Sequence, residues 1–254
     1  MWYNKAMSKL ILAASSLAVA FICGCARESG TTLTMVTQTQ FPPYEFMRGR
    51  ELVGVDMEIG RAVAAKLGRK FMCESVDFAS IIPAVLSGRA DFAASGLTVT
   101  ADRLRNVDFS DPYITKGVVV VYRKTTGYQG QAQLKGRKIG VQSGATSETY
   151  CLEKLRQEPA ERCHSPVDAV AALKSGRVDF VIADVDPAKH SVIGDPDLAI
   201  SDVMTTEEYA VAVRKGCPEL LKAVNETIAE IKADGRLAKW VAEYTAEAEG
   251  AGGM

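Results

Sequence analysis

The stretch SGRADFAASG at 87–96 returns as SGRVDFVIAD at 175–184, so five of its first six residues recur 88 positions later. In both places an apolar helical run closes on the glycine and a short apolar strand follows. Six residues alone say little, because SGR caps are common; the context gives the echo its weight. Ahead of the first copy, TLTMVTQ (32–38) alternates like a strand. DMEIGRAVAAKLG (56–68) places apolar residues at 57, 59, 63 and 67 and ends on glycine, as a helix does. KFMCESV then predicts a strand and FASIIPAVLSG a helix. Ahead of the second copy, GVVVVYR and RKIGVQSG predict strands, and SETYCLEKLRQ and VDAVAALKSG predict helices. Strand and helix alternate twice over, which predicts an α/β fold of two similar lobes, each a mostly parallel sheet flanked by helices.

The remainder joins the lobes. EEYAVAVRKG (207–216) predicts a strand, and CPELLKAVNETIAEIKADGRLAKWVAEY one or two helices. Leu220, Leu221, Val224, Ile228, Ile231, Leu237 and Trp240 give those helices an apolar face at helical spacing. If they pack on the first lobe, the chain crosses between lobes twice, near 117–122 and 207–212, and two crossing strands make a hinge. Residues 33–117 with 212–246 then form lobe 1, residues 118–211 lobe 2, and 247–254 a tail.

With 254 residues, 47% of them hydrophobic, the chain can bury a substantial core. A formal net charge of −1 without a basic run gives no footprint for nucleic acid. The only histidines are His164 and His190, and no CxxC or Cys/His cluster is present, so neither a metal nor a cofactor is expected.

Residues 1–24 predict an export signal. Lys5 and Lys9 precede LILAASSLAVAFIC, an apolar run too short to span a membrane. The following ICGC resembles a bacterial lipoprotein signal, with Ile22 at −3, Gly24 at −1 and Cys25 as the residue to be lipidated; cleavage nearby to release a soluble protein is the alternative. Two or more acyl chains on Cys25 would suffice for stable anchoring, with 25–32 as a polar tether. Four other cysteines remain in an exported chain. Cys151 and Cys163, flanking one helix-to-strand passage, are the candidate disulfide; buried free thiols are the alternative.

In open α/β sheets ligands bind beyond the carboxyl ends of the strands. That singles out four loops: TQFPPYEF, SGLTVTADR, QSGATSE and DVD. The second offers open backbone at Gly96, a hydroxyl at Thr98 and Arg103, whose planar fork can hold a carboxylate. The third offers backbone NH groups at a helix start with Thr146 beside them. The fourth offers Asp184 to an ammonium. An arginine facing an aspartate across a cleft suits a zwitterion. Each also has an ordinary structural role: Arg103 as a solvated helix charge, Asp184 as a strand-end cap, Thr146 as a helix N-cap.

GVDMEIGRAVAAKL (54–67) resembles the signature of the bacterial periplasmic solute-binding proteins for polar amino acids. FPPYEF, DFASIIPAVLSGRADFAASGLTVTADRLRNVDFSDPY, GRKIGVQSGATSE, GRVDFVIAD and DGRLAKW extend the likeness over nearly the whole exported chain. The resemblance implies a two-lobe periplasmic-binding-protein fold joined by two hinge strands. It implies a monomer that closes on a free L-amino acid and delivers it to the permease of an ABC importer in the inner membrane. Residue by residue, it implies that Phe41 stacks over the ligand side chain. Gly96 and Thr98 would meet the α-amino and α-carboxylate groups, Arg103 and Thr146 the carboxylate, and Asp184 the ammonium; no residue is expected to be catalytic.

Three positions bear on specificity. Val55 stands where many relatives have an aromatic, Gln38 where binders of cationic amino acids often carry an acid, and Gln142 is neutral. A buried cationic side chain needs a compensating anion; Glu45 could supply one, but it lies in a motif common to the family and reads as exposed. A neutral polar ligand such as glutamine is therefore expected ahead of arginine or histidine. Two other functions fit the same lobes: a sensor read by a membrane receptor, and a cyclohexadienyl or arogenate dehydratase.

Overall fold

The structure, a computed structural model, describes residues 31–251. The expected signal peptide, Cys25 and nearly all of the tether lie outside the described residues. Lobe 1 begins with β1 (Thr32–Thr37), a small antiparallel unit of β2 (Gln40–Phe41), β3 (Glu45–Arg48) and β4 (Glu51–Val53), and α1 (Val55–Lys66). It continues through β5 (Lys70–Ser75), a 3-10 turn at Phe78–Ser80 running into α2 (Ile81–Leu86), β6 (Phe92–Ala93), α3 (Ala101–Leu104) and β7 (Val107–Phe109). The first crossing strand is β8 (Ile114–Arg123). Lobe 2 follows as β9 (Ile139–Gln142), α4 (Thr146–Thr149) with a π-helical extension at Tyr150–Leu155, β10 (Glu161–Cys163), α5 (Pro166–Lys174), β11 (Phe180–Asp184), α6 (Val185–Val192) and β12 (Leu198–Ile200). The chain returns through β13 (Thr205–Tyr209) to β14 (Ala212–Arg214), α7 (Pro218–Ala233) and α8 (Arg236–Ala251) in lobe 1.

The lobe 1 sheet runs β5-β1-β6-β14-β7 and the lobe 2 sheet β10-β9-β11-β8-β12, with β13 also on β8. Parallel pairing is confined to the part of each sheet built by strand-helix-strand units: β1 with β5 and β6, β9 with β10 and β11. The returning strands pair antiparallel, so both sheets are mixed rather than mostly parallel. A strand that arrives from the other lobe needs no helical crossover and can enter in either direction.

The single strand expected over 207–216 is two. β13 pairs with β8 from Thr205↔Val118 to Tyr209↔Ile114, whereas β14 pairs with β6 and β7 in the other lobe. Ala210 and Val211 between them carry the chain across. β8 begins at Ile114, earlier than expected, so the two crossings are hydrogen-bonded to each other along five residue pairs.

The repeated phrase is built alike in both lobes. Gly88 and Gly176 turn the chain at φ 75 and 76, in the left-handed region that favours glycine. Ser87 Oγ donates to Ala84 O, and Ser175 Oγ to Ala172 O. Asp91 Oδ2 then accepts the NH of Thr34 at 2.8 Å, and Asp179 Oδ2 accepts that of Lys138 at 3.1 Å. The aspartate of each copy thus pins its strand to the start of the neighbouring parallel strand. Phe92 and Phe180 follow, both fully buried.

Each sheet carries apolar clusters on two faces. In lobe 2, Val119 and Val121 point to the face covered by α5 and α6, and Val118 and Val120 to the face covered by the π-helical turn. Cys163 belongs to the first cluster and Cys151 to the second. Both are free thiols, and burial pushes the Cys151 thiol up to about 11. The expected disulfide is not formed, because the sheet lies between the partners. No helix among the described residues is long and apolar enough to cross a membrane.

Candidate functional site

The lobe 1 wall is set by the turn after β6. Gly96 has φ +53 and lies against Phe41: a Cβ placed on it would sit 2.4 Å from Phe41 Cε1. Phe41, 2% exposed, packs in turn on Tyr44 and Tyr209, with ring centroids 5.6 and 6.1 Å apart. Two acids hold the turn from beneath. Gly96 NH donates to Asp56 Oδ2 at 2.8 Å, and Ser95 Oγ donates to Glu45 Oε1 at 2.7 Å. The Gly96 NH is therefore already engaged, which leaves its carbonyl, not its amide, for a ligand. Glu45, expected to be exposed, is 0% exposed. Burial, reinforced by the neighbouring Asp56, holds its carboxyl well above the usual range, and burial pushes Asp56 up to about 6.

Beyond the turn, Thr100 Oγ1 accepts the Arg103 NH at 3.2 Å and so starts α3, fixing where Arg103 leaves the helix. Arg103 is not a solvated helix charge. Its Nη1 donates to Thr98 O at 2.9 Å, its Nη2 reaches across to Gly144 O of lobe 2 at 3.1 Å, and its guanidinium lies 5.2 Å from the centroid of the Phe78 ring. Burial lowers its pKa from the ordinary arginine value, yet a guanidinium stays charged at any ordinary pH.

The lobe 2 wall comes from the ends of β9 and β11. Gln142, 3% exposed, donates through Nε2 to Gln38 Oε1 across the cleft at 2.6 Å and to His164 O at 2.9 Å. Thr146 is the first residue of α4 rather than its N-cap, which is Ala145. Its hydroxyl donates to Glu207 Oε2 at 3.0 Å, and Thr98 Oγ1, from lobe 1, donates to the same oxygen. Asp184 holds the N-cap position of α6 but makes no side-chain capping bond; its Oδ1 accepts from the Tyr209 hydroxyl instead. Burial, and after it the charge of Glu207, push the Asp184 carboxyl up to about 7. Nearby, Asp186 Oδ2 accepts from Tyr44 OH at 2.7 Å and pairs with Lys116 Nζ at 2.9 Å.

Five of the six expected ligand-binding side chains thus meet around the second crossing strand, Thr98 and Arg103 from one lobe and Thr146 and Asp184 from the other, with Phe41 stacked near Tyr209. Against this geometry, the model of the bacterial extracellular solute-binding proteins, family 3, matches residues 33–247. The chain belongs to that family.

Its relatives agree in extent and shape. The family 3 protein is 33% identical over 244 residues to the arginine-binding extracellular protein ArtP of Bacillus subtilis, covering 91% of this chain and 94% of the relative. The amino acid ABC transporter substrate-binding protein AbpA of Streptococcus pneumoniae, solved bound to L-arginine, superposes with a TM-score of 0.82 at 33% identity, over 88% of this chain and 98% of that one. An ancestral arginine-binding protein bound to glutamine gives a TM-score of 0.77 at 37% identity, over 84% and 97%. The two-lobe periplasmic-binding-protein fold is therefore that of this solute-binding protein.

Not every expected residue reaches the cleft of the solute-binding protein. Val55 is fully buried among Ile59, Val63 and the rest of the lobe 1 core. Two residues that do reach it were missed, Glu207 and Tyr209, both on β13. The signal was available: a strand expected to cross between lobes at 207–212 must show side chains to the cleft, and EEY supplies acids and an aromatic there. Among the described residues no His, Cys, Asp and Glu gather as metal ligands.

Proposed function

We propose that the protein captures a free L-amino acid between its lobes and presents it to the permease of an ABC importer, without catalysis. The observation that carries this is the convergence of Thr98, Arg103, Thr146 and Asp184 from opposite lobes upon the crossing strand. A cationic clamp, two hydroxyls and a carboxylate at one place match the two charged ends of an α-amino acid. A ligand held by both lobes favours the closed form, and the closed form is what a membrane partner can read. Residues 33–117 with 212–246 and residues 118–211 are the moving bodies, with β8 and β13 as the hinge.

For the ligand side chain we place a cationic amino acid, arginine first, ahead of glutamine. Glu45, which reads as exposed in the sequence, lies fully buried next to Asp56, and that burial holds its carboxyl toward the neutral form, so it lends the pocket an acceptor rather than a fixed charge. Asp184 and Asp186 supply the acid, with Lys116, among the described residues, the one cation paired to them, and a cation entering an acid-rich site satisfies otherwise costly buried carboxyls. Relatives named for arginine support the same choice, while the ancestral protein bound to glutamine keeps the neutral ligand in view. Export and anchoring through Cys25 complete the proposal.

Isothermal titration of the exported chain with each of the twenty amino acids tests it: arginine is expected to bind most tightly. Silence across all twenty at millimolar concentration overturns the capture function, and glutamine above arginine overturns the charge argument alone. Cys25→Ala is expected to move the protein from the membrane fraction to the soluble one.

A further inference from the structure

We propose that Glu207 is an internal latch, a carboxylate of the chain itself that occupies the donors meant for the ligand's α-carboxylate and must leave before a ligand can bind. The inference rests on the assignment of Thr98 and Thr146 as carboxylate donors. Both hydroxyls donate to one oxygen, Glu207 Oε2, and they come from opposite lobes. A hydroxyl has a single proton to give, so neither can serve Glu207 and a ligand carboxylate at once. Arg103, the third carboxylate donor, gives one N–H from each terminal nitrogen to a backbone carbonyl, Thr98 O in its own lobe and Gly144 O in the other, and keeps its remaining N–H groups for a ligand. These bonds join the hinge strand and both lobes.

The release path is also present. Glu207 lines a cavity of about 420 Å³ between the lobes, bounded by Thr100 and Ala101 on one side and Val118, Ile182 and Met204 on the other. A glutamate side chain freed from the two threonines can swing there while its backbone keeps its place in β13. Hydrogen bonds to a carboxylate are among the stronger ones, so the latch lowers ligand affinity by the share of molecules it holds shut.

The test compares the exported wild-type chain with Glu207→Gln and Glu207→Ala by calorimetric titration with L-arginine and L-glutamine, and by small-angle X-ray scattering without amino acid. Glu207→Ala is expected to bind about tenfold more tightly, and Glu207→Gln, which keeps an acceptor but no charge, to fall between. Without amino acid, the alanine variant is expected to have a larger radius of gyration than wild type. Equal or weaker binding by the variants, or equal radii, overturns the latch. A wild type that binds no amino acid overturns the function proposed above instead, and the scattering comparison then decides the latch by itself. If the alanine variant does not fold, the glutamine variant carries both measurements.

Discussion

Gln142 Nε2 donates to Gln38 Oε1 at 2.6 Å, a buried bond between side chains 104 positions apart on opposite walls of the cleft. It ties the lobes together at a place where the sequence showed only two neutral pocket residues. Gln142 keeps a second acceptor, His164 O, when Gln38 is truncated; Gln38 Oε1 has no such reserve when Gln142 is lost. Gln38→Ala is therefore expected to weaken binding about fivefold, the worth of one neutral hydrogen bond, and Gln142→Ala by more. The loss should be equal for every amino acid that binds. Titration showing a loss confined to cationic ligands would make Gln38 a specificity residue instead.

Arg103 joins the lobes through a planar fork, Nη1 to Thr98 O and Nη2 to Gly144 O. An ammonium cannot reproduce two divergent in-plane bonds. Arg103→Ala is expected to reduce affinity about a hundredfold or more, and Arg103→Lys to restore little of it. Recovery to near wild-type affinity in the lysine variant, measured by calorimetry, would show that charge alone serves.

Much of this site was legible in the sequence because it sits where sequence rules are strongest. The α/β rule singles out the loops after the strands, and Thr98, Arg103, Thr146 and Asp184 from those loops converge between the lobes. Phe41, which the resemblance implied, lies instead in the lobe 1 core against Gly96 and Tyr209. The repeated SGR-x-DF marked equivalent joints, down to the aspartate that caps the neighbouring strand in each lobe. What escaped depends on facts that periodicity does not carry. Glu45 reads as exposed because it belongs to a motif common across the family rather than to a ligand-specific position, yet Ser95 and the turn at Gly96 enclose it. Cys151 and Cys163 are close in sequence, but strand alternation sends their clusters to opposite faces of one sheet. Glu207 and Tyr209 lie on a strand that the sequence predicts to cross the hinge, but the sequence does not tell Glu207, half-buried and bonded to Thr146, from the exposed Glu208 beside it.

Gly96 is expected to tolerate no side chain. Its φ of +53 disfavours other residues, and a Cβ there would overlap Phe41 Cε1 at 2.4 Å. Gly96→Ala should cost about 1–3 kcal/mol from the clash and the backbone together, seen as a thermal midpoint several degrees lower, with weaker binding. Adding Phe41→Ala removes the overlap but not the backbone strain, so the double variant should be more stable than the sum of the single losses allows. Strict additivity would mean that Phe41 does not press on the turn.

Asp184 makes amino-acid capture depend on pH in a direction that follows from its environment. Burial and Glu207 push its carboxyl up to about 7, so below that pH the folded protein keeps a proton that the unfolded chain has lost. That contribution to stability is full at pH values below the ordinary carboxylate range and is lost as pH rises through about 7. Asp184→Asn should accordingly raise the thermal midpoint at pH 8 and leave it nearly unchanged at pH 4. Ligand binding runs the other way: an ammonium pairs with the ionised carboxylate, so affinity should fall about tenfold for each pH unit below about 7. Binding at pH 6 should release close to one proton, read from calorimetry in buffers of different ionisation enthalpy, and at pH 8 very little. An affinity flat from pH 6 to 8, with no proton release, would take the ammonium away from Asp184.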